Sequence, residues 1–241
     1  MLPIADENIP GRGYAVVTLA LIAINVLVFV LLQLPNEAFT YGWAAVPREI
    51  TTGEDIVGPV RIGGEVAFVL TEGPNPVWLT LISSMFMHGG WLHLAGNMLF
   101  LWIFGDNVEH TVGSVVFLVF YLIAGVIGSL AQVFLDSNSL IPSLGASGAI
   151  SGVLAAYLVL YPTNRVLVFA FYSAIWVPAL VVIGLWAVLQ FIGGIGQIAV
   201  TEQTGGVAYA AHIGGFLAGL VFGFIARAFM GSRRDPRRRG H

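Results

Sequence analysis

Uncharged apolar stretches recur along the chain, separated by short polar turns. Tyr14 to Gln33 is the first. It is about 20 residues long, enough to cross a hydrocarbon core of roughly 30 Å. Its apolar part exceeds the roughly 7–15 residues of a signal h-region, and no small-x-small cleavage site follows, so it reads as a retained span. Residues 34–76 form a long connection holding Pro35, Pro47, Pro59, Pro74 and Pro76, most of the acids, and Arg48 and Arg61. A loop beyond about 12–15 residues calls for a role, and part of this one is expected in the membrane interface, with Trp43 and Trp78 as anchors. The second span is expected at 77–104 and is uncharged, yet it contains Ser83, Ser84, His88, His93 and Asn97. Residues 105–110 read as a turn, 115–135 as the third span, 136–143 as a turn, and 144–161 as the fourth span. Pro162 to Arg165 closes the fourth span.

Val166 to Val200 is uncharged, too long for one crossing and short for two. Parity chooses between these readings. Arg12 precedes the first span, and Arg227, Arg233, Arg234, Arg237, Arg238 and Arg239 follow the last. Arginine-rich segments stay cytoplasmic, so both ends are expected inside and the number of spans even. Residues 166–175 then form an interfacial lead-in, 176–197 the fifth span and 207–229 the sixth. Arg48 and Arg61 fall outside.

Composition agrees with this pattern. The chain is 57% hydrophobic and only 10% charged, against about 25% charged residues in soluble domains. Thirty glycines suit helices packed closely in lipid. There is no cysteine, which excludes disulfides, a thiolate nucleophile and a cysteine-ligated metal. The expected fold is an all-α membrane protein: a six-transmembrane-helix bundle with both termini cytoplasmic. A segment at 1–13 precedes the bundle at 14–229. An arginine-rich tail at 230–241 follows and is expected to touch anionic lipid. No internal repeat is visible.

Polar side chains within spans usually face the bundle interior and mark function. Here they fall at His88, His93 and Asn97 on the second span, Ser147 and Ser151 on the fourth, and His212 on the sixth. Each has a structural alternative. Ser147 among Gly145, Gly148 and Gly152 suits a tight helix crossing, and Gly215 to Gly219 is itself a GxxxG packing motif. His212 and Asn97 could be interhelical hydrogen-bonding residues. Together they supply more: a hydroxyl, a base, and two donors four residues apart on one helix face. A serine nucleophile needs that set. Asp, Glu and Lys are absent from every expected span, so a serine–histidine dyad is the only hydrolytic arrangement open there. A transporter would show ionisable pairs or repeated broken helices at mid-membrane; neither is visible.

Three motifs carry a resemblance. They are His88-Gly89-Gly90-Trp91-Leu92-His93-Leu94-Ala95-Gly96-Asn97, then Gly145-Ala146-Ser147-Gly148, then Ala211-His212-Ile213-Gly214-Gly215-Phe216-Leu217-Ala218-Gly219. In order, internal spacing and placement on the second, fourth and sixth spans, the chain resembles the rhomboid intramembrane serine proteases over about residues 14–229. A lone GxSG is weak, since soluble hydrolases also use it; the three together are specific. The resemblance implies Ser147 as nucleophile and His212 as general base and acid. It implies an oxyanion hole from Asn97, His93 and the Ser147 backbone amide. Gly215 and Gly219 would bring the sixth helix against the fourth, with Gly145, Gly148 and His88 supporting the site. Glu109 would tie down the end of the second span. Residues 34–76 would be the L1 region and about 198–206 a cap over the site. Two departures stand out: Ser151 occupies a position where many members carry a bulky aromatic against the histidine, and Trp43 and Arg48 are separated where many carry a Trp-Arg pair.

The implied activity is cleavage of transmembrane segments of single-span or polytopic membrane proteins through an acyl-enzyme. The alternative is a catalytically inactive rhomboid-like protein that binds membrane clients. No cofactor, no metal and no nucleic acid are expected. The short N-terminal segment, without a transit-peptide pattern, suggests a bacterial cytoplasmic (inner) membrane, with the site opening to the extracytoplasmic side.

Overall fold

The computed structural model describes residues 2–7, 13–170, 172–199 and 208–234. The chain begins with strand β1 (Leu2–Asp6) and enters α1 (Val16–Val28), which continues as a π-helical segment, Phe29–Gln33. The L1 region holds α2 (Glu37–Trp43), α3 (Pro47–Thr52) and the hairpin β2 (Gly58–Ile62) and β3 (Glu65–Leu70). Then come a 3-10 turn at Val77–Leu79, α4 (Thr80–Ser83), a second 3-10 turn at Ser84–Phe86, α5 (Trp91–Val112), α6 (Ser114–Leu135) and α7 (Ser147–Leu160). A second hairpin, β4 (Arg165–Ala170) and β5 (Ser173–Pro178), leads to α8 (Ala179–Ala199) and α9 (Tyr209–Arg234).

Among the described residues, three helical stretches are long and apolar enough to cross a membrane: Val16–Gln33, Ser114–Leu135 and Tyr209–Phe229. Shorter apolar helices occupy Val77–Phe86, Ser147–Leu160 and Ala179–Ile195. Large apolar side chains cover the outside of the bundle, among them Val181, Leu185, Val188, Leu189 and Ile192 on α8. In water this surface would be a liability; against lipid tails it costs nothing.

The structure corrects the hydropathy pattern in three places. First, the expected second span, 77–104, breaks at Met87–Gly90. The break strands the backbone groups of His88, and a side chain from the first span satisfies them. Gln33 Oε1 accepts from His88 N at 2.8 Å, and Gln33 Nε2 donates to His88 O at 3.1 Å. Second, residues 105–110, read as a turn from their polarity, are helical and extend α5 to Val112. Asn107 and Glu109 have partners far away in the chain, so their polarity marks contact rather than a turn. Third, the fold is not purely α-helical. The stretch taken as an interfacial lead-in is a β-hairpin, and β1 pairs antiparallel with β4 to give a sheet of order β1-β4-β5. Along β4, Val166, Val168 and Ala170 are buried and Arg165 and Phe169 exposed. That alternation is the mark of a half-buried strand, and a fully apolar run hides it from hydropathy.

β1 is locked by chemistry. Asp6 Oδ2 accepts from Tyr157 OH at 2.7 Å and from Asn107 Nδ2 at 2.6 Å. Burial pushes the Asp6 carboxyl up to about 6, and the bond from Tyr157 holds it from rising further. One carboxylate thus joins the chain start to α5 and α7.

A second acid caps a helix from a distance. Val16 opens α1 with no side-chain cap of its own, leaving first-turn N–H groups unpaired. Glu109, buried near the end of α5, accepts from Val17 N at 3.0 Å, Thr18 N at 2.7 Å, Thr18 Oγ1 at 2.8 Å and Ser114 Oγ at 2.6 Å. A negative charge at a helix N-terminus also meets the positive end of the helix dipole.

The centre of the bundle is α7, nearly every residue of which is buried. α9 lies along it so closely that a Cβ at Gly215 would strike the Gly148 carbonyl oxygen, and one at Gly219 that of Gly152. α6 closes the other side: a Cβ at Gly128 would lie 2.6 Å from Ala211 O, and Phe120 stacks on Phe222 with centroids 3.9 Å apart.

Two outcomes follow from this framework. Glu109→Gln leaves a buried amide NH2 facing donors. It should lower unfolding stability in mixed micelles by on the order of 3 kcal/mol, read from the denaturation midpoint. The second concerns L1, where Glu49 is buried and accepts from Ile56 N at 3.2 Å. Burial pushes its carboxyl up to about 7; the Ile56 bond lowers it and the Asp55 charge raises it. A raised carboxyl pKa favours the folded loop when protonated. That contribution is fully present below the ordinary value of 4.5 and is lost as pH rises toward about 7. Glu49→Gln should therefore flatten the loss of L1 protection from proteolysis between pH 5 and 8, measured beside the wild type.

Candidate active site

Ser147 is the first residue of α7. The preceding Gly145 has φ +130°, a conformation that side-chain-bearing residues rarely adopt. It also has no room for a side chain: a Cβ there would lie 2.9 Å from both Cε1 and Nε2 of His93. Its amide donates to Ser84 O at 2.9 Å, fixing the loop to the end of the preceding helical segment. The serine hydroxyl is thus presented where a helix begins and the first-turn amides are open.

His212 projects from the first turn of α9. Its Nε2 lies 2.7 Å from Ser147 Oγ. The two residues are 65 positions apart in sequence and meet because α9 seats its glycines on α7. Both are half-buried. The ring is held from three directions. Trp186 of α8 lies with its centroid at 6.0 Å, Tyr209 stands edge-on at 6.5 Å, and Gln190 Oε1 lies 2.7 Å from Nδ1. The missing aromatic at Ser151 therefore does not leave the imidazole loose. Ser151 instead donates to Ser147 O at 2.6 Å, within α7.

The expected donors sit on α5. His93 packs against Gly145, and its Nδ1 accepts from Gly89 N at 3.3 Å, leaving Nε2 on the side of Gly145 and Ser147. Asn97 is buried, and its Nδ2 finds no hydrogen-bond partner among the described residues. A buried amide donor without a partner is costly unless something else fills the role. His88 is fully buried edge-on to His93, with centroids 5.1 Å apart. A small cavity beside Ser147 is lined by Ser84, Ser129, Ser143, Gly145, Gly148 and Ala211. No group of three His, Cys, Asp or Glu that could hold a metal occurs among the described residues.

Not every predicted residue joins this group. Gly148, Gly215 and Gly219 form the α7–α9 crossing. Glu109 lies more than three turns along α5 from Asn97 and serves α1. Residues 200–206 of the expected cap, and 235–241 of the tail, lie outside the described residues. Gln190, Trp186 and Tyr209 were missed by sequence reasoning. A signal existed for the first: Gln190 is the one polar amide in the uncharged run before Gln197, four residues after Trp186 and so on the same helix face.

Comparisons with known proteins bear on the family of the chain. Residues 75–229 match the family model described as Rhomboid domain. The chain is 30% identical to "Rhomboid protein 1, mitochondrial" of Saccharomyces cerevisiae, over 90% of this chain and 55% of that protein. It is 32% identical to "Rhomboid protease GluP" of Bacillus subtilis, over 92% of this chain and 38% of that protein. It is 28% identical to "Inactive rhomboid protein 1" of Drosophila melanogaster, over 68% of this chain and 10% of that protein. The chain thus spans about half, or less, of the length of these relatives. A family match over more than half the chain, resting on membrane-crossing helices, shows that this integral membrane protein belongs to the rhomboid family.

Proposed function

We propose that the protein is an intramembrane serine endopeptidase that cleaves transmembrane segments of other membrane proteins. The observation that carries this reading is the 2.7 Å contact between Ser147 Oγ and His212 Nε2, beside an unpartnered Asn97 amide. Ser147 Oγ attacks the scissile carbonyl carbon while His212 Nε2 takes its proton. Negative charge forms on the substrate oxygen, where Asn97 Nδ2, His93 Nε2 and the Ser147 amide donate to it. His212 returns the proton to the leaving amine. A water, deprotonated by His212, then releases the acyl group as a carboxylate and restores the serine.

The site works below the membrane surface. α7 has 14 residues, about 21 Å at 1.5 Å each, well short of a hydrocarbon core of about 30 Å. In a six-span bundle with its arginine-rich ends in the cytoplasm, the α7 end near Arg165 is cytoplasmic. Ser147 then lies beneath the extracytoplasmic face, at a depth that water reaches through the cavity. A helical substrate hides its carbonyls in hydrogen bonds, so the preferred segments unwind near their outer ends. The bacterial cytoplasmic membrane is the proposed location, and the 32% identity to the Bacillus protein supports it. The name of the Drosophila relative raises the alternative, a client-binding protein without activity.

Ser147→Ala should reduce cleavage of a single-span substrate in liposomes to background while the fold is retained. A serine-directed fluorophosphonate should label the wild type but not this variant. Undiminished cleavage by Ser147→Ala would refute the nucleophile, and an unreactive Ser147 in the wild type would favour the client-binding reading. Asn97→Ala should lower kcat by about 10²-fold or more, measured at saturating substrate.

A further inference from the structure

The geometry assigns Gln190 on α8 as a positioning residue that sets the tautomer of His212 and makes its Nε2 a base. This inference rests on the protease reading above. A neutral imidazole carries one N–H and one bare nitrogen. Only the form with the proton on Nδ1 leaves Nε2 free to take the proton of Ser147. Gln190 Oε1 lies 2.7 Å from Nδ1 and, as a carbonyl oxygen, only accepts. It therefore selects Nδ1–H. The two contacts, 2.7 Å on each side of one ring, form a continuous line from α8 through α9 to α7.

An amide fills this place at a lower desolvation cost than a carboxylate would. A carboxylate would stabilise the imidazolium formed during attack, but an unpaired charge within the membrane carries a large desolvation cost. Glutamine supplies orientation without charge. The amide also has a wrong orientation. Rotated by half a turn, its NH2 would donate to Nδ1, force the proton onto Nε2 and turn a donor toward Ser147. Trp186, one turn away on the same face, packs on both His212 and Phe216, with centroids at 6.0 and 6.1 Å. The pair of side chains thus makes the seating of α8 a condition for a competent base. α8 is otherwise lipid-facing, with Leu185, Val188, Leu189 and Ile192 exposed. A shift of α8 away from α9 would switch the base off without touching Ser147 or His212.

The test compares Gln190→Ala, Gln190→Asn and Gln190→Glu with the wild type in liposomes, reading kcat, KM, fluorophosphonate labelling rate and the pH–rate profile. His93 faces His212 from α5 and Tyr209 from α9; α6, α7 and α8 carry no Asp, Glu, Lys or Arg. Gln190→Ala should lower kcat and the labelling rate together by about 10- to 100-fold, with KM nearly unchanged, since orientation of the base is lost. Asn, one methylene shorter, should behave like Ala. Glu keeps an acceptor at Nδ1. It should recover most of the rate and move the acidic limb of the profile to higher pH, because a carboxylate stabilises the imidazolium. The 15N shifts of wild-type His212, assigned by difference with folded His212→Gln, should report a protonated Nδ1 and a bare Nε2. An unchanged kcat in folded Gln190→Ala, a Glu variant as slow as Ala with its acidic limb unmoved, or a wild-type Nε2–H tautomer would each overturn the assignment. These outcomes leave the protease reading intact as long as wild-type labelling depends on Ser147. Loss of that dependence is the separate result that removes the protease reading itself.

Discussion

Everything at the site depends on how closely α9 can approach α7. Gly215 and Gly219 have their Cα atoms against the carbonyl oxygens of Gly148 and Gly152, with no space for a methyl group. In lipid the hydrophobic effect does not drive helices together, so van der Waals contact over a smooth, small-residue surface must do so. The four-residue spacing of the glycines keeps them on one face of each helix. With that crossing fixed, the first turn of α9 lies beside the first turn of α7, and His212 meets Ser147. The glycines that look like mere packing and the residues that look like chemistry are one device.

Such contact is useful only if the other helices hold their height and rotation. Polar ties do this, each where a helix ends or breaks. Gln33 satisfies the backbone at His88, and Glu109 caps α1 from α5. Asp6 pins the first strand to α5 and α7. In a medium without water, each orphaned N–H or C=O carries a penalty of several kcal/mol. These ties therefore resist sliding more strongly than apolar packing can. His93 and Asn97 on α5 inherit their positions from them.

α8 is placed differently. It borders the site with one face and meets lipid with the rest, and it contributes Trp186 and Gln190 to the ring of His212. The ring of His212 is therefore supported by a helix that also carries much exposed apolar surface.

Much of this was legible in residue order. Apolar runs of bilayer length located α1, α6, α7, α8 and α9 to within a few residues, because burial in lipid imposes one unmistakable composition. Ser147, His212, His93 and Asn97 stood out as polar side chains in apolar surroundings. Where the same rule was applied to short features it misled. Residues 105–110 are helical, and the polarity of Asn107 and Glu109 reflects partners on other elements; the run 166–178 is a hairpin that hydropathy does not separate from a helix, since either would be equally apolar there. Gln190 carried the same polar signal as Asn97, yet only the packing of α8 on α9 gives its oxygen a partner. Composition and motif thus determined that this is a membrane bundle and which polar side chains stand out within it. What holds the ring of His212 and how strand β1 is secured were decided by contacts between residues far apart in sequence, set by three-dimensional packing alone.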